Sequence, residues 1–227
     1  MNQSYWMDLQ EGKHYPPLSK DVHIHTLIIG AGLSGLTTAY YLSSITSNVM
    51  IIEADEIGYG SSGRNTGKLS VQHGAIYHKL IQTHGKEIAK EYYMAQKEAL
   101  ESISAIIQEH HISCHYEEKS ALLYTQHKEN IAILQKEYEA YQTLGIQAQY
   151  VEESAYPFQL AAGIRIDHQA GYDPYAYLLG LSDYLDACGI AIYEHSPASL
   201  IQKDGNGWHV TVNDHSIYAQ YIVSATM

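Results

Sequence analysis

Hydrophobic and polar positions in the first quarter of the chain follow two different periods. Residues 25–29 form a short apolar run, and Leu36, Ala39 and Leu42 then recur at a spacing of three. Residues 49–52 form a second apolar run. Uninterrupted apolar runs are typical of buried strands, and the three-residue spacing is typical of one helix face. The pattern therefore predicts a strand, a helix and a second, parallel strand.

Two longer amphipathic patterns lie in the middle of the chain. Between residues 86 and 106, apolar side chains recur on one face of a predicted helix, with lysine and glutamate opposite. The predicted inward face consists of Ile88, Tyr92, Ala95, Ala99, Ile103 and Ile106. A strand is predicted over residues 121–125, and a second helix over 128–143 ends before Gly145, a typical C-terminal cap.

The last quarter of the chain again combines a helix with strands. Asp173-Pro174 predicts a helix start, because proline is favoured at the first helical position, and Gly189 predicts the end of that helix. Residues 189–195 predict a strand. Residues 207–213 and 215–226 predict a hairpin that leads into a final apolar strand.

These elements predict an α/β fold with two domains. A Rossmann-like domain, in which helices cover a parallel sheet, is expected from residues 21–75 and 171–227. Residues 1–20 are expected to form an irregular lead-in. Residues 76–170 are expected to form an inserted, helix-rich α+β domain.

The glycines of "LIIGAGLSGLTTAYYL" (residues 27–42) form a Gly-x-Gly-x-x-Gly motif between a predicted strand and a predicted helix. Gly30 permits the tight turn, Gly32 lets the backbone approach a pyrophosphate, and Gly35 lets the helix pack against the strand. Glu53 follows the second strand, 23 residues after Gly30, where a carboxylate accepts hydrogen bonds from a ribose hydroxyl and disfavours NADP. The motif predicts dinucleotide binding and leaves NAD and FAD open.

A glycine- and serine-rich loop follows Glu53 and runs to Gly74. Its length and its many small residues suit a long diphosphate ligand, because backbone N–H groups in such loops bind anions. Arg64 and Lys68 lie within it and could neutralise phosphate or hold a flavin carbonyl. The loop therefore favours FAD over NAD.

Net charge and hydropathy exclude several classes of function. Lys and Arg number 13 and Asp and Glu number 25, so the net charge of −12 argues against general nucleic-acid binding. No apolar run reaches the length of about 18 residues that a membrane span needs. The first residues do not have the pattern of a signal peptide, so we expect the protein in the cytoplasm.

Cysteine and histidine patterns do not predict a metal site. Cys114 and Cys188 lie far apart in the sequence and are expected to be buried free thiols. The 14 histidines include the stretches "HIH" and "EHHISCH", but neither has a standard ligand spacing.

The stretches "IIGAGLSGLTTAYYL" and "VMIIEADEIGYGSSGRNTGK" resemble the FAD-dependent oxidoreductases of the D-amino-acid oxidase and glycine oxidase superfamily. The nearest branches are similar to DadA-type and gamma-glutamylputrescine-oxidase-like enzymes. "SYWMD", "KLSVQHGAIYHKLI" and "DPYAYLLGL" resemble a bacterial subgroup that often carries a C-terminal Rieske iron–sulfur domain. That subgroup often has His and Thr where this chain has Arg64 and Asn65.

The resemblance implies a set of residues that contact FAD. The diphosphate would lie against the glycine turn, the adenosine ribose against Glu53, the adenine against Ala198, and the cofactor again near Ala225. The complete set is Gly30, Gly32, Leu33, Ser34, Gly35, Glu53, Ala54, Ser62, Gly63, Arg64, Thr66, Gly67, Lys68, Ala198 and Ala225.

The resemblance also implies oxidation of an amine or amino acid, in which a hydride passes to flavin and an imine forms. Lys68, Gln72 and His73 follow the loop and are weak candidates for catalytic residues. Arg165 and Tyr172 are weaker candidates for contact with a substrate carboxylate.

Two alternatives to this activity stay open. The chain could be a non-catalytic nucleotide-binding fragment that needs a complementing chain, or an NAD-dependent dehydrogenase. The resemblance implies that the chain is the N-terminal, truncated portion of a longer enzyme. The expected partners are therefore a small amine or amino-acid substrate and either a complementing C-terminal segment or a Rieske domain.

Overall fold

A computed structural model describes residues 4–9, 12–152 and 158–226 of the chain. The helices are α1 Leu33–Ser43, α2 Tyr77–His84, α3 Lys86–Glu109, α4 Ile131–Leu144 and α5 Pro174–Ala187. The strands are β1 Val22–Ile29, β2 Val49–Ile52, β3 Lys68–Leu69, β4 Glu117–Thr125, β5 Gln149–Val151, β6 Ala162–Gly171, β7 Ala191–Tyr193, β8 Ala198–Asp204, β9 Gly207–Val212 and β10 His215–Ser224.

The chain divides into two compact units. The first unit contains the described residues up to Thr66, residues 110–114 and the described residues from Asp173 onward. The second contains the described residues of Gly67–Glu109 and His115–Tyr172. The assignment of cofactor binding to one part of the chain and substrate binding to the other stays a prediction.

The first unit is built on a six-stranded sheet with the order β7-β2-β1-β10-β9-β8. The four strands from β7 to β10 pair in parallel, and β10, β9 and β8 pair in antiparallel. All four residues of β2 are buried, and Leu27 of β1 pairs with Met50 on one side and Ile222 on the other. The α/β, Rossmann-like fold predicted from the sequence is confirmed.

Helices α1 and α5 belong to this unit and begin in different ways. The carboxylate of Asp173 caps α5, because its Oδ1 accepts the N–H groups of Tyr175 and Ala176 at 2.9 and 3.0 Å. Pro174 occupies the first turn, as predicted. Gly32 is the N-terminal cap of α1 and offers no side chain, so this helix begins without such an acceptor of its own.

The second unit contains an antiparallel sheet with the order β3-β6-β4, and β5 also pairs with β6. Ile164 and Ile166 of β6 are buried and join a core cluster that includes Tyr77 of α2 and Tyr141 of α4. Burial raises the pKa of the Tyr77 hydroxyl, which donates to the Val71 carbonyl at 2.7 Å. Alternate residues of β6 thus hold this unit together from one face of the sheet.

Several sequence predictions need correction. The predicted helix over 86–106 exists, but its buried face is shifted, since Ile88 is 52% exposed and Ala89 is fully buried.

Strands β6 and β8 were not predicted. Cys114 is a buried free thiol as expected, whereas the free thiol of Cys188 is exposed, because it lies just after α5 at the surface.

Candidate functional site

The glycine turn joins the ends of three parallel strands in the first unit. The N–H of Gly30 donates to the Ile52 carbonyl of β2 at 2.8 Å, and the N–H of Ala225 donates to the Ile29 carbonyl at 2.8 Å. Gly30 has a φ of 109°, which L side chains rarely adopt. A Cβ on Gly35 would lie 1.9 Å from the Gly30 carbonyl oxygen, so only glycine allows α1 to begin this close to the turn.

The first turn of α1 presents backbone donors. The N–H of Leu33 donates to the Ser62 hydroxyl at 3.0 Å, and the N–H of Leu36 donates to the Gly32 carbonyl at 3.0 Å. Within the part of the chain that the structure describes, the N–H groups of Ser34 and Gly35 meet no acceptor. Such donors and the positive end of the helix dipole favour an anionic ligand.

Glu53 lies directly after β2 and is hydrogen-bonded to the glycine turn. Its Oε2 accepts the N–H of Ala31 at 2.7 Å, and its Oε1 accepts the N–H of Asp55 at 3.1 Å. A carboxylate oxygen can accept more than one hydrogen bond, so the side chain keeps capacity for a ribose hydroxyl. The neighbouring Ala54 is exposed.

The loop after Glu53 lies against the start of α1 through a single turn of 3₁₀ helix, Ser61–Arg64. Ser62 contributes the hydroxyl that Leu33 contacts, and Gly63 is buried. Arg64 is exposed, donates to the Gly60 carbonyl at 3.2 Å and lies 4.5 Å from the centre of the Tyr59 ring. The guanidinium is thus held at the surface by its own loop.

These features fit the diphosphate and ribose of a dinucleotide, and the comparisons with known proteins name the family. Residues 25–226 match the DAO family, described as FAD dependent oxidoreductase. The chain belongs to the DAO family of FAD-dependent oxidoreductases. The predicted family is confirmed, and FAD, the cofactor of this family, is confirmed over the NAD alternative.

Individual relatives of this DAO-family chain agree with that assignment. It is 32% identical over 221 residues to YhfW of Bacillus subtilis (strain 168), a protein named for a Rieske 2Fe-2S centre, covering 97% of this chain and 43% of YhfW. It is 25% identical over 194 residues to the gamma-glutamylputrescine oxidoreductase of Escherichia coli (strain K12). That match covers 83% of this chain and 45% of the oxidoreductase.

Solved structures show the same fold. The L-amino acid deaminase from Proteus vulgaris superposes with a TM-score of 0.73 at 16% identity, covering 95% of this chain and 49% of that chain. The DAO-family chain thus spans about half the length of the relatives it matches.

The remaining predicted cofactor residues of this DAO-family chain lie in several places. Thr66 is exposed at the end of the first unit's loop, while Gly67 and Lys68 belong to the second unit. Ala198 is the first residue of β8 and pairs with Val212 of β9. The contacts of all these residues with FAD stay predictions.

The three weak catalytic candidates form no single cluster of side chains. The Lys68 ammonium donates to the Gln72 carbonyl at 3.1 Å. Gln72 is 3% exposed and donates through Nε2 to the Ile164 carbonyl at 3.1 Å, which indicates a packing role. His73 is exposed, with Nε2 lying 3.2 Å from Gln96 Oε1. Catalytic roles for these residues stay predictions.

Arg165 takes part in a surface network on the second unit's sheet. Its Nε donates to Asp167 Oδ1 at 2.8 Å and its NH2 group donates to the Ser120 hydroxyl at 3.0 Å, while that hydroxyl donates to the same Asp167 oxygen at 2.6 Å. The hydroxyl of Ser120 and then the guanidinium hold the pKa of Asp167 below its usual value. Tyr172, the other candidate for substrate contact, is buried.

One polar residue of the first unit was missed by the sequence reasoning. Glu194 is 3% exposed and accepts the N–H groups of Ile57 and Tyr15, both at 2.8 Å. It follows β7 directly, as Glu53 follows β2, and the strand ends Ile52 and Tyr193 pair with each other. The position of Glu194 directly after a short apolar strand was therefore visible in the sequence and could have marked it as a residue like Glu53.

Other site classes find no support in the described residues. Within residues 4–9, 12–152 and 158–226, no group of three or more His, Cys, Asp or Glu side chains is arranged to hold a metal ion. The helices of those same ranges include none with the length and hydropathy of a membrane span.

Proposed function

We propose that the first unit binds FAD and that the chain forms part of an oxidoreductase that acts on an amine or amino acid. The observation that carries this proposal is the start of α1, where Gly35 packs against Gly30 and the N–H groups of Ser34 and Gly35 stay available to a ligand. A dinucleotide diphosphate matches such a site in charge.

Each residue group at this site has a distinct role in the proposal. Ser34 and Gly35 would bind the diphosphate through their backbone N–H groups, and Glu53 would accept a hydrogen bond from the adenosine ribose. Ser62 would hold the following loop against α1 through its contact with Leu33. FAD, when bound, would supply the hydride acceptor for oxidation of a carbon–nitrogen bond.

The substrate class is supported by the names of similar proteins. One relative is a gamma-glutamylputrescine oxidoreductase, and one structural neighbour is an L-amino acid deaminase. An amine or amino-acid substrate for this chain follows by analogy. Arg165 is the candidate for a substrate carboxylate, although in the structure Asp167 balances its charge.

A further protein segment is part of the proposal. Because the chain spans about half the length of its relatives, turnover would need residues that those relatives have beyond the matched part. The Rieske centre in the name of YhfW makes an iron–sulfur domain one candidate for the electron acceptor. A non-catalytic nucleotide-binding role remains the alternative if such a segment does not join this chain.

An absorption spectrum of the purified chain, before and after FAD is added and free cofactor removed, tests the proposal. We expect a retained flavin band that bleaches when an amine substrate and the complementing segment are both supplied. A folded chain that retains no flavin would contradict the proposed cofactor role. Retained flavin without bleaching by any amine or amino acid would favour the non-catalytic alternative.

A further inference from the structure

The described N-terminal residues form a turn that contacts the candidate cofactor loop. In this N-terminal turn, residues 4–9, the N–H groups of Met7 and Asp8 donate to the Ser4 carbonyl at 3.0 and 3.1 Å. The turn belongs to the same compact unit as the glycine motif. The sequence indicated only an irregular lead-in here, so the contacts come from the tertiary structure.

Two side chains of the N-terminal turn donate to the loop. The Ser4 hydroxyl donates to the Gly63 carbonyl and the Trp6 indole N–H donates to the Asn65 carbonyl, both at 2.8 Å. Each bond joins residues 59 positions apart in the sequence. An indole nitrogen can only donate, so the Asn65 carbonyl determines how the Trp6 ring is oriented.

The contacted loop residues are neighbours of the one that touches α1. Ser62 accepts the N–H of Leu33 at 3.0 Å, and Gly63 donates its own N–H to the Gly58 carbonyl at 2.9 Å. The loop is thus bonded to the helix start at one residue and to the N-terminal turn at the next. The side chain of Asn65 also donates to the Ser62 carbonyl at 2.7 Å, so both residues that the turn contacts are bonded or adjacent to Ser62.

Residues 15–18 are anchored to the first unit by backbone hydrogen bonds to buried side chains. The N–H of Tyr15 donates to Glu194 Oε2 at 2.8 Å, and the N–H of Leu18 donates to the Ser196 hydroxyl at 2.9 Å. The side chains of Tyr15 and Leu18 are buried. Because this stretch is ordered by the core, less conformational entropy is lost when the turn lies against the loop.

We propose that Ser4 and Trp6 are positioning residues that hold the loop around Ser62 in the conformation that receives FAD. The inference rests on the proposed function, since the loop matters to the cofactor only if FAD binds at α1. Without the two donors the loop would adopt more conformations, and FAD binding would have to order it. The residues would raise affinity without touching the cofactor.

The test compares Trp6→Phe, Ser4→Ala and the double variant with Tyr5→Phe as the matched control. Trp6→Phe keeps an aromatic ring and removes the donor, and Tyr5→Phe removes a hydroxyl from a neighbouring side chain that is 67% exposed. FAD affinity is measured by fluorescence titration. Amide hydrogen exchange over residues 61–66 and the melting temperature are measured without FAD.

We expect each single variant to bind FAD about fivefold more weakly, because each loses one hydrogen bond to the loop. The double variant loses both bonds and should bind FAD more than about tenfold more weakly. Exchange over residues 61–66 should accelerate while the melting temperature changes by no more than about 2 °C. Tyr5→Phe should match the wild type in all three measurements.

Three results would overturn the inference. If the variants bind FAD as tightly as the wild type, the proposed function stands and the positioning role does not. If exchange rises across the whole first unit and the melting temperature falls, Ser4 and Trp6 are merely structural. If the wild-type chain does not bind FAD, the proposed function fails and the positioning role fails with it.

Discussion

Each unit contains a helix whose first N–H groups are treated differently: in one a carboxylate accepts two of them, and in the other two stay available among the described residues. In the second unit, the fully buried carboxylate of Glu137 accepts the N–H groups of Tyr77 and His78, at 2.9 and 2.8 Å, at the start of α2. In the first unit, α1 begins at glycines and keeps N–H groups available among the described residues. The protein's own carboxylate occupies one anion-binding position, and the other is where we propose that the FAD diphosphate binds.

This difference shows how stability and binding can use the same helix chemistry. A helix end that is satisfied by a buried side chain contributes to the core and can accept no ligand there. A helix end made of glycine backbone keeps its N–H groups available to an external anion.

Gly35→Ala should abolish FAD binding and lower the free energy of unfolding by about 3 kcal/mol, because the new Cβ would overlap the Gly30 carbonyl. Flavin absorption and urea unfolding measure the two effects. The matched control is Gly60→Ala, where an added Cβ meets no atom within 4 Å. A Gly35→Ala protein that binds FAD normally would show that the close approach is not required.

Glu137→Ala should lower the free energy of unfolding by about 3 kcal/mol, since the buried N–H of Tyr77 and the partly buried N–H of His78 lose their acceptors. FAD affinity of the folded protein should not change, because the glycine turn, Glu53 and Ser62 all lie in the first unit, whereas Glu137 lies in the second. The control is Glu139→Ala, an exposed carboxylate on the same helix, which should change stability by less than about 0.5 kcal/mol. Equal unfolding curves for both variants would disprove the role of Glu137 at α2.

Glu53→Gln should weaken FAD binding about tenfold, because the amide keeps only one accepting oxygen for Ala31, Asp55 and the ribose. Fluorescence titration with FAD gives the affinity. Asp55→Asn removes an exposed carboxylate two residues away and should bind FAD as the wild type does. If both variants bind equally well, Glu53 does not contact the cofactor.

The smallest effect is expected at Asp167 in the second unit. Hydrogen bonding to Ser120 lowers the pKa of the folded carboxyl below its usual value of 3.8. This carboxylate therefore stabilises the folded state above about pH 4, and the contribution is lost as the pH falls through the lowered pKa. Carboxyl NMR titration should show a higher pKa for Asp167 in Ser120→Ala, with Ser102→Ala as the control. An unchanged pKa would contradict the assignment to Ser120.

Much of the first unit could be predicted from local patterns. Buried runs predicted β1 and β2, and the Asp173-Pro174 pair predicted α5, because caps and glycines act on the backbone within a few residues. The same holds for one helix end of the second unit, where Gly145 has a φ of 75° and ends α4, as its position after the helical period indicated. Such signals do not depend on how distant parts of the chain meet.

Two strands and one helix face could not be predicted from local sequence patterns. Strand β6 is central to the second sheet, yet its alternation is interrupted by Gln169, a polar residue that is buried because its side chain accepts the N–H of Val71 at 2.8 Å. Strand β8 is exposed at nearly every position, so no hydrophobic period marks it. The buried face of α3 was predicted wrongly, because Ala89 packs into the core where Ile88 was expected.

Local sequence patterns were enough to predict the glycine turn, the strands and helix around it, and therefore a dinucleotide cofactor. Those features follow from backbone conformations and periods that residues impose locally. Three contacts could be found only in the folded chain: Glu137 caps α2, Glu194 accepts the N–H of Tyr15, and Trp6 donates to the Asn65 carbonyl. These are bonds between residues far apart in sequence, and a donor's partner is determined by which segments the packed core brings within hydrogen-bond distance.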